Sequence, residues 1–322
     1  LSEAALEALA ELGRVLDRKV RPLLHGAWET AVMPPEILDA LVPLNLMRPT
    51  GVAPSEADSS LFSGFRNYVL ARTDVSVATL FNAQSGLFRS AVRLGGSAEQ
   101  AAELDERIRD FSLTGVFALT EPDHGSDIAR GLATTATRRG DDWIIAGEKR
   151  WIGGAVSADV LAVFARDTAD GEVKGFLVPR DAEGVTLEPI TGKIALRPMQ
   201  NSTIRLADVR VSEADRLRGV DSWSDVARIL GAMRSDVAWI ATGLQAGALD
   251  AALAYAGERE QFGRPVGGFQ LVQEKLARML GNVTASLGLV TQLSILQDSG
   301  TRTDANSSLA KMWTALRARE TV

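Results

Sequence analysis

The apolar residues of this chain change their spacing twice, and that change limits the folds open to it. From the start to about residue 112 they recur at helical intervals. Ser2 reads as an N-cap before a stripe of Leu6, Leu9, Leu12 and Leu16. Pro34 and Pro35 open a helix through Glu36, Leu38, Leu41 and Leu46. Arg48 to Ser59 is rich in Pro, Ser and Ala and reads as a loop. Helical spacing resumes through Phe62, Tyr68 and Leu70, then from about Asp74 to a stop at Gly95–Gly96. From about Leu113 to Arg216 the pattern shortens to alternation and brief apolar runs bounded by turns. Ala133 to Thr137, the turn Gly140–Asp141–Asp142 and Trp143 to Ala146 read as a hairpin. Val160 to Phe164 and Val173 to Val178 flank a second turn at Asp170–Gly171. Helical spacing returns near Ser222 and runs to Glu258. It breaks over Phe262 to Gly268, runs again from about Phe269 to Leu296, and restarts near Asp304.

The expected fold class is therefore α+β and mainly α. An N-terminal helical domain (1–112) precedes a central β-barrel or sandwich domain (113–218), and a C-terminal helical bundle (219–322) follows. That bundle reads as truncated, because the last helix carries no C-cap signal before Val322.

Composition narrows the chemistry. There is no cysteine, so thiolate and disulfide chemistry are excluded. The only histidines are His25 and His124, too few for a His-rich metal site, and no metal is expected. The net charge of −6 does not favour nucleic acid. No apolar run is read as long enough to span a membrane and no signal sequence is evident. The expectation is a cytoplasmic protein with no membrane span.

Three segments stand out. Phe117-Ala118-Leu119-Thr120-Glu121-Pro122-Asp123-His124-Gly125-Ser126-Asp127 follows a strand and supplies hydroxyls at Thr120 and Ser126 beside Gly125. Such a loop can hydrogen-bond the edge of a heteroaromatic ring, and it is equally what a turn with capping hydroxyls needs. Gly147-Glu148-Lys149-Arg150-Trp151-Ile152-Gly153-Gly154 places an aromatic before two glycines. That arrangement suits stacking on a planar ligand, or a core Trp before a turn. Arg259-Glu260-Gln261-Phe262-Gly263-Arg264-Pro265, followed by Phe269 and Gln270, offers a guanidinium for a phosphate, or a solvated helix end.

In this order, the segments resemble the acyl-CoA dehydrogenase family, which carries T-E-P-x-x-G-S-D, then G-x-K-x-W-I, then R-x-x-F-G-x-P-x-x-x-F-Q. The resemblance covers nearly the whole chain. It looks most similar to the branch of glutaryl-CoA dehydrogenase and the plant short-chain acyl-CoA oxidase. Lys149 to Gly153 and Met279-Leu280-Gly281-Asn282-Val283 resemble that oxidase in particular.

The resemblance implies FAD lying between the β domain and the C-terminal bundle of a homotetramer or dimer. Phe117, Leu119, Thr120, Gly125 and Ser126 would line the flavin, and Ser126 would also touch the thioester. Trp151 would pack on the isoalloxazine, with Ile152 and Gly153 beside it. Arg259, Phe262 and Gln270 would hold the FAD of a neighbouring subunit. Arg234 would stand at the substrate entrance with Ala232 and Met233. The implied reaction is α,β-desaturation of a short- or medium-chain acyl-CoA to a 2-enoyl-CoA. Electrons would pass to an electron-transfer flavoprotein. The alternatives are an acyl-CoA oxidase using dioxygen, a catalytically silent flavin-binding subunit, or a flavin monooxygenase or nitroalkane oxidase on the same scaffold.

Three departures qualify this picture. The catalytic residue is unknown: the family's Glu base is expected beyond Val322, and the position just before Arg234, where some members carry it, is Met233. Glu258, Glu260 and Glu320 read as solvated charges. Ala78 stands where glutaryl-CoA dehydrogenases place an arginine for the second carboxylate, which favours a monocarboxylic substrate. Gly153 replaces a common Thr, and the space so opened would admit dioxygen.

Overall fold

The computed structural model describes residues 1–322, of which 56% are helical. The chain divides into two compact units. One comprises residues 1–25, 35–79 and 234–322; the other comprises residues 26–34 and 80–233. Helices from both ends of the chain therefore share the first unit.

In the helical unit, Ser2 caps Glu3–Val15 as its sequence indicates, its Oγ accepting from the Ala5 N–H at 3.2 Å. Leu9, Leu12 and Leu16 of the expected stripe are buried, whereas Leu6 is exposed. The helix Ser60–Thr73 and the long helices Arg234–Glu258, Gln270–Asp298 and Asp304–Thr321 supply the rest. Their core centres on Trp239, which is fully buried with Val290, Leu293 and Ala310. Its indole N–H donates to Ser294 Oγ at 2.9 Å, and its ring lies 4.8 Å from that of Phe65. Gly64 makes this approach possible, because a Cβ there would come within 2.2 Å of the indole.

Two helical stretches, Trp223–Glu258 and Gln270–Asp298, are long and apolar enough to cross a membrane, correcting the expectation that no apolar run reaches that length. Scattered polar residues hide their averaged hydropathy from a reading of continuous runs. Several of their apolar side chains, including Trp239, Leu249, Val290 and Leu293, are core residues of the helical unit. That is the environment such stretches find in a bundle.

Asp236 lies in the first turn of Arg234–Glu258. It keeps some surface exposure, yet burial pushes its carboxyl up to about 6, against the attraction of Arg66. A carboxyl raised above its unfolded value of 3.8 contributes stability that is full below that value and lost as pH rises through about 6. Asp236→Asn removes this dependence. Relative to wild type, the variant should melt higher at pH 7.5 than it does at pH 4. Equal differences in melting temperature at the two pH values would refute the assignment.

In the second unit the strands are β1 (Gly115–Ala118), β2 (Thr135–Arg139), β3 (Asp142–Gly153), β4 (Val160–Asp167), β5 (Val173–Pro179), β6 (Val185–Pro189), β7 (Asn201–Ser212) and β8 (Arg216–Leu217). They pair in the order β6-β7-β3-β2-β4-β5-β8, with β1 parallel to β4. The end strands β6 and β8 do not pair, so the sheet is not a closed barrel, and the sandwich half of the expectation is the one that fits.

Strand β4 shows why the unit is layered. Leu161, Val163 and Ala165 enter one core with Trp143, Ile145, Phe176 and Ile204. Ala162 and Phe164 point the other way, into a second core with Phe88, Val92, Ile108 and Ile229 from helices. The anticipated β2–β3 hairpin forms, with Gly140 at φ 64° turning the chain between the paired Arg139 and Asp142. At the start of β1, Gly115 lets the Phe88 ring lie close: a Cβ there would meet it at 2.3 Å. Gln84 donates to the carbonyls of Ile108 and Leu113 and accepts from the Gly115 N–H at 2.9 Å, which fixes where β1 begins.

Candidate active site: a flavin seat on the sheet

Strand β1 ends at Ala118, and the chain passes through buried Leu119 to half-buried Thr120. The Arg150 N–H donates to the Thr120 carbonyl at 2.8 Å. The first motif is thereby stitched to β3 at the residue before Trp151.

Beneath this stitch lies a buried ion pair. Lys149 Nζ is 2.8 Å from Glu121 Oε1, with side-chain exposures of 0% and 3%. The Glu121 carboxylate also accepts from the N–H groups of Ala133 and Thr134 at 2.6 and 2.9 Å, and Lys149 donates to the Leu119 carbonyl at 3.2 Å. Burial opposes ionisation of Glu121, but the Lys149 charge and these hydrogen bonds outweigh it and hold the carboxyl below its usual range. Burial pulls Lys149 down to about 8 against the pull of Glu121, so both groups are charged at neutral pH.

The loop beyond Glu121 is held by its own hydrogen bonds. Glu121 N–H donates to the His124 carbonyl, and His124 Nδ1 lies 2.9 Å from Asp127 Oδ2. Gly125 and Ser126 are exposed at its tip, and a Cβ on Gly125 would meet nothing within 4 Å. Bare backbone and a hydroxyl therefore face open space.

Trp151 is the most unusual residue of the unit. The residue is 52% exposed and its φ is 64°, a left-handed conformation that costs a non-glycine residue roughly 1–2 kcal/mol. It sits where the β3–β7 register shifts between Lys149 and Ile152, a bulge that turns one side chain out of the alternation. The neighbouring Ile152 returns to the sheet core and is 4% exposed, so it offers a ligand its backbone rather than its side chain. Phe117 is half-buried, its ring 4.7 Å from Phe164, and Leu119 packs in the core between sheet and helices.

Gly153 does not leave a void. A Cβ there would lie 2.5 Å from Met199 Cε, because the Met199 side chain occupies that space. The space expected to open at this position is filled by Met199.

Residues expected to touch substrate or a neighbouring subunit's FAD stand on helices and a short hairpin. Ala232 ends the helix Trp223–Ala232, and Met233 is buried at 6% in an apolar core. Arg234 opens the next helix, half-buried, 3.5 Å from Asp304. Arg259 precedes and Gln270 follows a short hairpin of Glu260–Gln261 with Arg264–Pro265, Phe262 lies in its turn, and all three are exposed. Phe262 is 93% exposed at φ 53°, its ring edge-on to Phe269 at 6.1 Å. Glu258 and Glu260 are exposed and Glu320 pairs with Arg317, which matches their reading as solvated charges.

The sequence reading missed Glu121 and Lys149, although both stand inside the quoted motifs as the E of T-E-P and the K of G-x-K-x-W-I. It also missed Lys193, Met199 and Asn201, for which no local pattern gives a signal.

The arrangement offers group types that suit a planar heteroaromatic ring. It presents a flat exposed indole for the apolar part, and the hydroxyls and bare backbone of the Thr120–Ser126 loop for the polar edge.

Comparisons with known proteins identify the family. Residues 116–209 match the model for the acyl-CoA dehydrogenase middle domain, and residues 223–322 match that for the C-terminal domain. A 3-(aryl)acrylate reductase of Clostridium sporogenes is 30% identical, the match covering 98% of this chain and 85% of the relative. A probable acyl-CoA dehydrogenase of Bacillus subtilis is 34% identical over 77% of this chain and 67% of the relative. A Mycobacterium smegmatis glutaryl-CoA dehydrogenase, solved in complex with FADH2, superposes with a TM-score of 0.91 at 29% identity, covering 99% of this chain and 82% of that one. Members of this family bind FAD, and the homotetramer is their typical assembly. The chain belongs to the acyl-CoA dehydrogenase family, FAD-dependent oxidoreductases that act on the CH–CH bond of acyl-CoA thioesters.

Proposed function

We propose that this protein desaturates a short- or medium-chain monocarboxylic acyl-CoA to the 2-enoyl-CoA and passes electrons to an electron-transfer flavoprotein. The observation that carries the reading is the exposed Trp151, turned out of β3 by a bulge and stitched through Arg150 to the Thr120 loop. FAD, when bound, supplies two-electron acceptance from the substrate Cβ.

The chain's own residues bind and orient the ring and the thioester. The indole of Trp151 orients the ring and excludes water from one face, with Thr120, Gly125 and Ser126 along the polar edge and Phe117, Leu119, Ile152 and Gly153 backing it. Ser126, at the exposed loop tip, reaches the thioester. Ala232 and Met233 precede Arg234 at the substrate entrance, and Arg259, Phe262 and Gln270 serve a neighbouring subunit's FAD. A hydrogen bond to the thioester carbonyl stabilises the charge that develops there as the α-proton passes to a carboxylate base.

Ala78 is fully buried and offers no cation to a second carboxylate, which supports a monocarboxylic substrate. Met199 against Gly153 supports a dehydrogenase rather than an oxidase.

The test starts from the visible absorption of the purified protein, where flavin bands are expected. Initial rates with butyryl-, octanoyl-, palmitoyl- and glutaryl-CoA follow, using an artificial acceptor against dioxygen. A preference for glutaryl-CoA, or turnover with dioxygen at the rate seen with the acceptor, would overturn the reading. Trp151→Ala is expected to weaken FAD binding by roughly 1–3 kcal/mol, the scale of burying an aromatic side chain. Unchanged flavin retention on dialysis would remove Trp151 from the seat.

A further inference from the structure

We propose that Asn201 and Lys193 are positioning residues that hold Trp151 in the left-handed conformation its place in the seat requires. This rests on the flavin-seat reading above and extends it to residues outside the motifs.

Asn201 Nδ2 donates to the Trp151 carbonyl at 3.0 Å, and Asn201 Oδ1 accepts from Lys193 Nζ at 2.7 Å. Lys193 also donates to the carbonyl of Leu196 at 2.8 Å and to that of Met199. Its three donors are thus fully used, which fixes the ammonium in place. Because Lys193 can only donate, it must meet the amide oxygen of Asn201. The amide nitrogen is then left facing Trp151, so the orientation of Asn201 is determined by chemistry.

The backbone around Asn201 is pinned as well. Asn201 pairs with Gly153 across β7 and β3, the Ile190 N–H donates to the Asn201 carbonyl at 2.8 Å, and the Gly154 N–H donates to the Gln200 carbonyl at 2.9 Å. Farther out, Arg197 donates to the carbonyls of Trp28 and Glu29, with its guanidinium 5.6 Å from the Trp28 ring centroid. The segment 190–201 is therefore tied at both ends, and its one side-chain bond to β3 falls on the residue whose backbone is strained. A left-handed non-glycine residue persists only where its surroundings over-determine it, and this clamp does so. Burial lowers the pKa of Lys193, as expected for an ammonium whose partners are carbonyls rather than carboxylates.

Asn201→Asp tests the clamp. The variant is isosteric and keeps the bond from Lys193, but cannot donate to the Trp151 carbonyl. FAD affinity is read from flavin fluorescence on titrating the apoprotein, the ring environment from visible circular dichroism of the bound flavin, and folding from the apoprotein melting temperature. The expected result is about tenfold weaker FAD binding with an altered flavin dichroism. In a Trp151→Ala background the same substitution should have no further effect on affinity. Asn201→Ala carries the same test should the carboxylate variant not fold, and Lys193→Arg should weaken binding less than Lys193→Met. If Trp151→Ala leaves FAD affinity unchanged, the seat itself fails. If Trp151→Ala weakens binding while Asn201→Asp and Asn201→Ala bind as wild type, or if the effects add in the double variant, the clamp fails and the seat stands.

Discussion

Lys149→Met is expected to destabilise the protein by about 3–5 kcal/mol at pH 7, the cost of leaving a buried charge without its partner. Lys149 is completely buried and its ammonium is the only cation within bonding distance of Glu121. Methionine fills similar volume, so packing changes little and the electrostatic effect dominates. The two backbone N–H groups on the Glu121 carboxylate remain, but they do not neutralise it.

Two controls separate this cause from general damage. In the variant, burial without a counter-charge raises the Glu121 pKa. The deficit should then shrink as pH falls from 7 toward 5, where the carboxyl can take up a proton. Adding Glu121→Gln to Lys149→Met removes both charges and should recover much of the loss. Urea denaturation midpoints measure all three. A loss below about 1 kcal/mol at pH 7 would show that the buried pair does not hold the Thr120 loop to β3. FAD affinity should fall in step, because the pair joins the Thr120 loop to β3 two residues before Trp151.

Trp239→Ala is expected to cost a comparable amount, about 3–5 kcal/mol, for a different reason. Its indole fills the centre of the helical unit against Phe65, Val290, Leu293 and Ala310, with Gly64 leaving room on one side. Truncation opens a cavity that long helices cannot collapse into. Trp239→Phe keeps most of the volume and loses the hydrogen bond to Ser294 Oγ, so its cost should be nearer 1–2 kcal/mol. The order alanine, phenylalanine, wild type in denaturation midpoint is the check. Equal costs for the two variants would mean that the hydrogen bond, not the cavity, dominates.

The sequence by itself determined the order of the helical and β segments, although it left the helices Pro54–Ala57 and Ala98–Arg109 unread. The Ser2 cap, the Pro35 start, the Gly95–Gly96 stop and the Gly140 turn are local signals, each settled by a few neighbouring residues, and each is where the pattern puts it. The motifs around Thr120 and Trp151 were legible for the same reason, since their residue types stand in a fixed short order.

Only the tertiary structure decided what lies between those motifs. The bulge that turns Trp151 outward is a property of the β3–β7 register, which depends on two strands at once. The Glu121–Lys149 pair, the bond from Asn201 to Trp151 and the Met199 side chain at Gly153 all join residues far apart in the chain. The same limit explains why Leu6 was expected inside and Gly153 expected open. Periodicity and caps report the backbone of one element, whereas burial and contact are set by whichever element folds against it.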